Sequence, residues 1–193
     1  MEIHNTVVID ENVLVVAEKM GADEHTSDEC RRNCIKTLRQ ARNALIVLDE
    51  TGLIHAQYSK HLKPVRRDQE GSEFLIWLWD NQYNPKHFER VKITKLEDGS
   101  FAEVPLELRQ PNSVSGKIFD LDDHKWLAVA QTSQHSPTIL NATDSDWFLW
   151  RERLEAHGFK IGDPICEEAT RERSKNNVRL SFELEARAAK NRP

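Results

Sequence analysis

Ala44-Leu-Ile-Val-Leu48, with Asp49 directly after it, is a run of five apolar residues with no polar residue inside it. A strand with one wet face alternates apolar and polar residues. An unbroken short run is the pattern of a strand covered on both faces, as in a parallel sheet. Thr6 to Ile9 is a shorter run of the same kind and stops at Asp10. Thr138 to Leu140 stops at Asn141, and Phe159 to Ile161 is a last short strand. Helical spacing fills the intervals. Val13 to Ala17 opens one helix. Thr26 and Glu29 have capping-box spacing and predict a helix from about Asp28 to Arg42, with Cys30, Cys34, Ile35, Leu38 and Ala41 on one face. Ile54, Tyr58, His61 and Leu62 repeat likewise, as do Glu73 to Asn81, Asp122 to Thr132, and Asp146 to Ala156 before Gly158. Strands alternating with helices predict an α/β class, a three-layer α/β/α domain around a central parallel sheet.

Three segments depart from that alternation. Residues 63 to 71 read as a loop. Val91 and Ile93 alternate with polar residues, and the Asp98-Gly99 turn precedes Phe101 to Val104, so a β-hairpin is expected as an insertion. Past residue 165 the chain turns highly charged, which divides it into a domain at 1–165 and a tail at 166–193 lying outside the main core. In the tail Val178, Leu180, Phe182 and Leu184 alternate like a strand, while the Glu, Arg and Ala content favours helix. Both readings stay open.

Composition bounds the function. The 193 residues include 27 basic and 32 acidic side chains, a formal net charge of -5. A chain basic all over is excluded, and a nucleic-acid site must be a local patch. The longest apolar run, Phe74 to Trp79, is six residues, against the roughly 18 of a membrane span. The start Met-Glu-Ile-His has neither the basic head nor the apolar core of a signal peptide. Cys30, Cys34 and Cys166 are few and odd in number, which reads as reduced thiols in a cytoplasm.

The strand ends carry the chemistry. Asp10 and Asp49 close two strands, Asp144 and Asp146 come after a third, and Asp122 and Asp123 open the helix before it. In open parallel sheets ligands bind beyond the carboxyl ends of the strands. A single Asp there is ordinarily a helix cap. Several converging acids repel one another, and a divalent cation is their natural compensation. Carboxylates are hard oxygen ligands suited to Mg²⁺ or Mn²⁺. Two such ions about 4 Å apart activate water and stabilise a leaving oxygen in phosphodiester hydrolysis.

Val-Val-Ile-Asp10-Glu-Asn12-Val-Leu resembles the first motif of PIN-domain nucleases, with Glu11 where that family usually has a small hydroxyl residue. Asp123-His-Lys-Trp-Leu-Ala-Val-Ala130 resembles the third motif, and Ile-Leu-Asn-Ala-Thr-Asp144-Ser-Asp146-Trp147 the last. The resemblance covers about residues 5 to 162. It implies a PIN-like fold and a Mg²⁺- or Mn²⁺-dependent nuclease acting on RNA before DNA. Asp10, Asp123, Asp144 and Asp146 would then be the catalytic acids. Asp49-Glu50-Thr-Gly-Leu-Ile-His-Ala-Gln57-Tyr58 resembles a second motif in which a Glu-Tyr pair carries an acid, here replaced by Gln57. Asp49 or Gln57 completes the expected ligand set, with Glu50 as a substitute. Many small members are toxins or defence effectors held by an antitoxin-like partner, and members often pair, so such a partner and a homodimer are further expectations.

The remaining features also have plainer readings. Lys60, Lys63, Arg66 and Arg67, with His61, form a basic cluster placed to grip a nucleic-acid backbone. Arg31, Arg32, Lys36, Arg39 and Arg42 make a basic helix side, read first as a solvated face. Cys30 and Cys34 lack partners of zinc-site spacing and read as core. Trp126 and Trp147 read as core. His55 and His124 are weak candidates for proton transfer. Two rival functions stand beside the nuclease. One is a catalytically weakened PIN-like protein that binds nucleic acid or a partner, which Gln57 favours. The other is a phosphatase using Asp10 as phosphoryl acceptor, which Asn12 in place of a second acid disfavours.

Overall fold

The computed structural model describes residues 5–18, 26–62, 69–111 and 118–175. Five strands, β1 (Thr6–Ile9), β2 (Leu45–Asp49), β3 (Phe88–Val91), β4 (Thr138–Leu140) and β5 (Lys160–Ile161), form one all-parallel sheet in the order β3-β2-β1-β4-β5. The central strands β1, β2 and β4 are buried almost throughout, as their unbroken apolar runs require. Helices cover both faces in a three-layer α/β/α arrangement, and no described helix is long and apolar enough to cross a membrane.

Between β1 and β2 lie α1 (Glu11–Glu18) and α2 (Asp28–Ala41); between β2 and β3 lie α3 (Leu53–His61) and α4 (Glu70–Asn81). The N-cap of α2 is Ser27, one residue past the expected Thr26, and its hydroxyl accepts from the Cys30 amide at 3.2 Å. Helix α4 starts at Glu70, within the stretch read as a loop. It can lie on α1 because residue 71 is Gly: a Cβ there would stand 2.4 Å from the Leu14 carbonyl oxygen. After β3 come α5 (Leu106–Arg109), a 3-10 turn (Leu121–Asp123) and α6 (His124–Thr132). The expected last helix is two, α7 (Ser145–Leu149) and α8 (Arg151–Ala156).

The inserted hairpin is not formed as expected. Phe88–Val91 joins the main sheet parallel to β2, and the chain beyond it makes a turn closed by one isolated bridge, Lys95 to Phe101. The thiols are also not all reduced. Cys30 and Cys166 form a disulfide with Cα atoms 5.0 Å apart, and Cys34 stays free and buried. The cause is the packing of the tail's first part. Residues 167–175 are helical, and Cys166, Thr170 and Ser174 are buried, so this stretch lies against the domain rather than outside it. The alternating segment 178–184 lies outside the described residues.

Candidate metal centre

The sheet order turns back at β1, with β2 on one side and β4 on the other. Crevices form at such switch points. Asp10 stands at this place, and its amide extends the ladder by donating to the Leu140 carbonyl at 3.0 Å. Its carboxylate is buried. Oδ1 accepts from the Asn12 amide at 3.2 Å and Oδ2 from the Trp147 indole at 2.6 Å. The Tyr58 hydroxyl, also buried, holds the preceding residue by donating to the Ile9 carbonyl at 2.6 Å.

Asp123 arrives from the other direction, as the last residue of the 3-10 turn into α6. It is only 7% exposed. Asp144 caps α7, its Oδ1 accepting from the Asp146 amide at 2.8 Å. Two asparagines fasten the Asp144 loop to the end of β1. Asn12 donates to the Asn141 side chain at 2.9 Å and accepts from the Ala142 amide at 2.7 Å. Asn141 grips both the amide and the carbonyl of Asp144, at 3.0 and 2.8 Å. One carboxylate oxygen from each of Asp10, Asp123 and Asp144 lies within 4.8 Å of the others.

The electrostatics reflect this crowding. Burial, then repulsion by neighbouring acids, pushes the Asp123 carboxyl up to about 9, with the Lys125 charge only partly offsetting it. The same causes raise Asp10 well above its usual range, and burial chiefly raises Asp144. Three hard oxygen donors buried together fit a divalent metal ion. Mg²⁺ and Mn²⁺ take the same donors.

The other expected site residues have different positions. Asp49 is fully buried and turned inward as the cap of α3: it accepts from the Leu53 and Ile54 amides at 2.8 and 2.9 Å and from the Thr51 hydroxyl at 2.5 Å. That use corrects its reading as a metal ligand. Gly52, with φ of 81°, sits at the N-cap position and has no side chain to offer, which is why the strand-end acid caps instead. Glu50 is exposed. Asp146 lies in the first turn of α7 and is not one of the three converging acids. Gln57 faces the site's edge, its Nε2 donating to Glu11 at 2.9 Å and its Oε1 accepting from Lys60 at 2.9 Å. Lys63, Arg66 and Arg67 lie outside the described residues.

Trp126 and Trp147 are core residues, as expected. On the basic side of α2, Arg32, Lys36 and Arg39 are exposed, Arg39 pairing with Glu70, while Arg31 donates to the Ala17 carbonyl and Arg42 lies over Trp77. His55 is buried edge-on to Trp79, and His124 stacks on Phe119. Sequence reasoning missed Asn141, whose position after a strand was the only signal, and Glu11, which registered only as a departure from a motif. No match to this chain is found among family models, curated proteins or solved structures.

Proposed function

We propose that the protein is a divalent-metal-dependent nuclease, acting on RNA in preference to DNA, with Asp10, Asp123 and Asp144 as its central metal ligands. The observation that carries this reading is the meeting of three acids at the sheet's switch point: one carboxylate oxygen from each of Asp10, Asp123 and Asp144 lies within 4.8 Å of the others, with Asp10 and Asp123 buried. The resemblance of the Asp10, Asp123 and Asp144 segments to PIN-domain motifs supports it from sequence. A bound divalent ion supplies an activated water and neutralises charge on the scissile phosphate. The chain's own residues hold the geometry: Trp147 and Asn12 orient Asp10, and Asn141 orients Asp144. Lys60 stands exposed at the rim, where a phosphate backbone would pass. The phosphatase reading loses ground because Asn12 is occupied as a structural staple.

A binding protein without catalysis is the second reading. It rests on Gln57, whose amide is taken up by Glu11 and Lys60. The two separate in one assay: cleavage of labelled single-stranded RNA and DNA with Mg²⁺, Mn²⁺ or EDTA, using wild type and Asp123→Asn. Metal-dependent cleavage that Asp123→Asn loses is the expected result. Absence of cleavage under every condition, together with absence of Mn²⁺ binding, overturns the nuclease and leaves the second reading.

A further inference from the structure

Gln57 looks like a missing acid when the sequence is read alone. In the folded chain it touches one. Glu11 opens α1 directly after Asp10, and its Oε1 accepts from Gln57 Nε2 at 2.9 Å. The orientation of that amide is set from its other end, since Gln57 Oε1 accepts from the Lys60 ammonium at 2.9 Å. An ammonium only donates, so the amide oxygen must face it and the NH₂ must face Glu11. The second Glu11 oxygen, Oε2, is buried and has no hydrogen-bond partner among the described residues. Glu11 feels the charges of Asp10, Asp123 and Asp144 and also that of the Lys125 ammonium, and it stands outside the group of three whose oxygens lie within 4.8 Å of one another. A long side chain at the start of a helix would swing to water to escape three like charges. This one is clamped beside them with an oxygen left open.

We infer that Glu11 is the fourth carboxylate ligand of the metal centre, and that Gln57 is a positioning residue that aims it, so that the acid and the amide have exchanged places between α1 and α3. The inference rests on the metal-site reading above. It also accounts for a neutral residue at 57: a second carboxylate there would repel Glu11, whereas the amide donates to it.

The test is Mn²⁺ binding, read by electron paramagnetic resonance of the free ion, with the full-length protein and with Glu11→Gln, Gln57→Leu and the exchanged pair Glu11→Gln/Gln57→Glu. Glu11→Gln is isosteric, and circular dichroism verifies that each variant is folded. Gln57→Leu is expected to weaken binding about 10-fold, in the range seen when partners that orient a ligand are removed. Glu11→Gln is expected to weaken it more. The exchanged pair is expected to recover most of the affinity. Unchanged affinity in Glu11→Gln, with wild type binding normally, overturns the role of Glu11 and leaves the three-acid site standing. An exchanged pair no better than Glu11→Gln alone overturns the role given to Gln57. Absence of Mn²⁺ binding in the wild type overturns the metal-site reading and this inference together.

Discussion

The indole nitrogen of Trp147 donates to Oδ2 of Asp10 at 2.6 Å, across 137 residues of chain. Both side chains are buried, and Trp147 also packs edge-on against Phe119 with ring centroids 5.1 Å apart. Helix α7 therefore positions two acids at once, Asp144 as its own cap and Asp10 through the indole. Trp147→Phe keeps an aromatic ring against Phe119 and removes the donor. Leaving the Asp10 oxygen unpaired in the interior costs about 1–3 kcal/mol. Urea unfolding should show that loss with an unchanged m-value. Mn²⁺ affinity should fall as well, because an unrestrained Asp10 no longer presents a fixed oxygen. Full affinity in a destabilised Trp147→Phe would confine the indole to packing.

The acids of the site also set a pH dependence. Asp10, Asp123 and Asp144 all have raised folded-state values, Asp123 reaching about 9 against an ordinary 3.8. Folding therefore takes up protons above pH ~4, and the stability these groups contribute is present at low pH and lost as pH rises through their folded values. Asp49 works in the opposite sense. Burial pushes it up, but the Ile54 and Leu53 amides and the Thr51 hydroxyl hold it below its ordinary value, so its contribution is lost only in acid. In EDTA the melting temperature should fall as pH rises from about 5 through the Asp123 value of about 9. Added Mg²⁺ should raise it by an increment that grows with pH, since metal binding displaces protons from the ligands. A melting temperature in EDTA that climbs steadily over the same span would contradict the clustering of these three acids.

Legibility in the sequence depended on which residues act locally. Buried strands such as Leu45–Asp49 announce themselves because both faces need apolar side chains. The edge strand Phe88–Val91 did not, because Glu89 and Arg90 stay half-buried there and Glu89 is engaged by Ser133 and Gln134. Asp10, Asp123 and Asp144 were legible from their places at element ends. Asp49 had the same signature and a different fate, because Gly52 at the N-cap of α3 leaves the Leu53 and Ile54 amides to it. Glu11 and Gln57 are 46 residues apart, and no periodicity links them. The disulfide is more remote still, since only the fold brings residue 166 onto α2.

That disulfide braces the site from behind. The Ile165 and Cys166 amides donate to the Asn141 and Ala142 carbonyls at 3.0 and 3.1 Å, and Arg173 donates to the Thr143 hydroxyl at 3.1 Å. The segment starting at residue 165 thus backs the loop that carries Asp144, and Cys30–Cys166 ties it to α2 across a sequence separation of 136. Closing so long a loop constrains the unfolded chain, and its loss costs about 2–5 kcal/mol. Dithiothreitol, or Cys166→Ser, should therefore lower the melting temperature by several degrees. An unchanged melting temperature under reduction would show that the 165–175 segment holds its place without the bond.

Cys34 lies 3.9 Å from the Cys166 sulfur and is a geometrically available exchange partner. Burial pushes its thiol up to about 12, so at neutral pH it is protonated and a poor nucleophile. Iodoacetamide on the native protein, then peptide mass spectrometry, should leave Cys34 unmodified, and non-reducing maps should show only Cys30 joined to Cys166. Peptides joining Cys34 to Cys166 would show instead that the bond migrates one turn along α2, and that the brace is exchangeable.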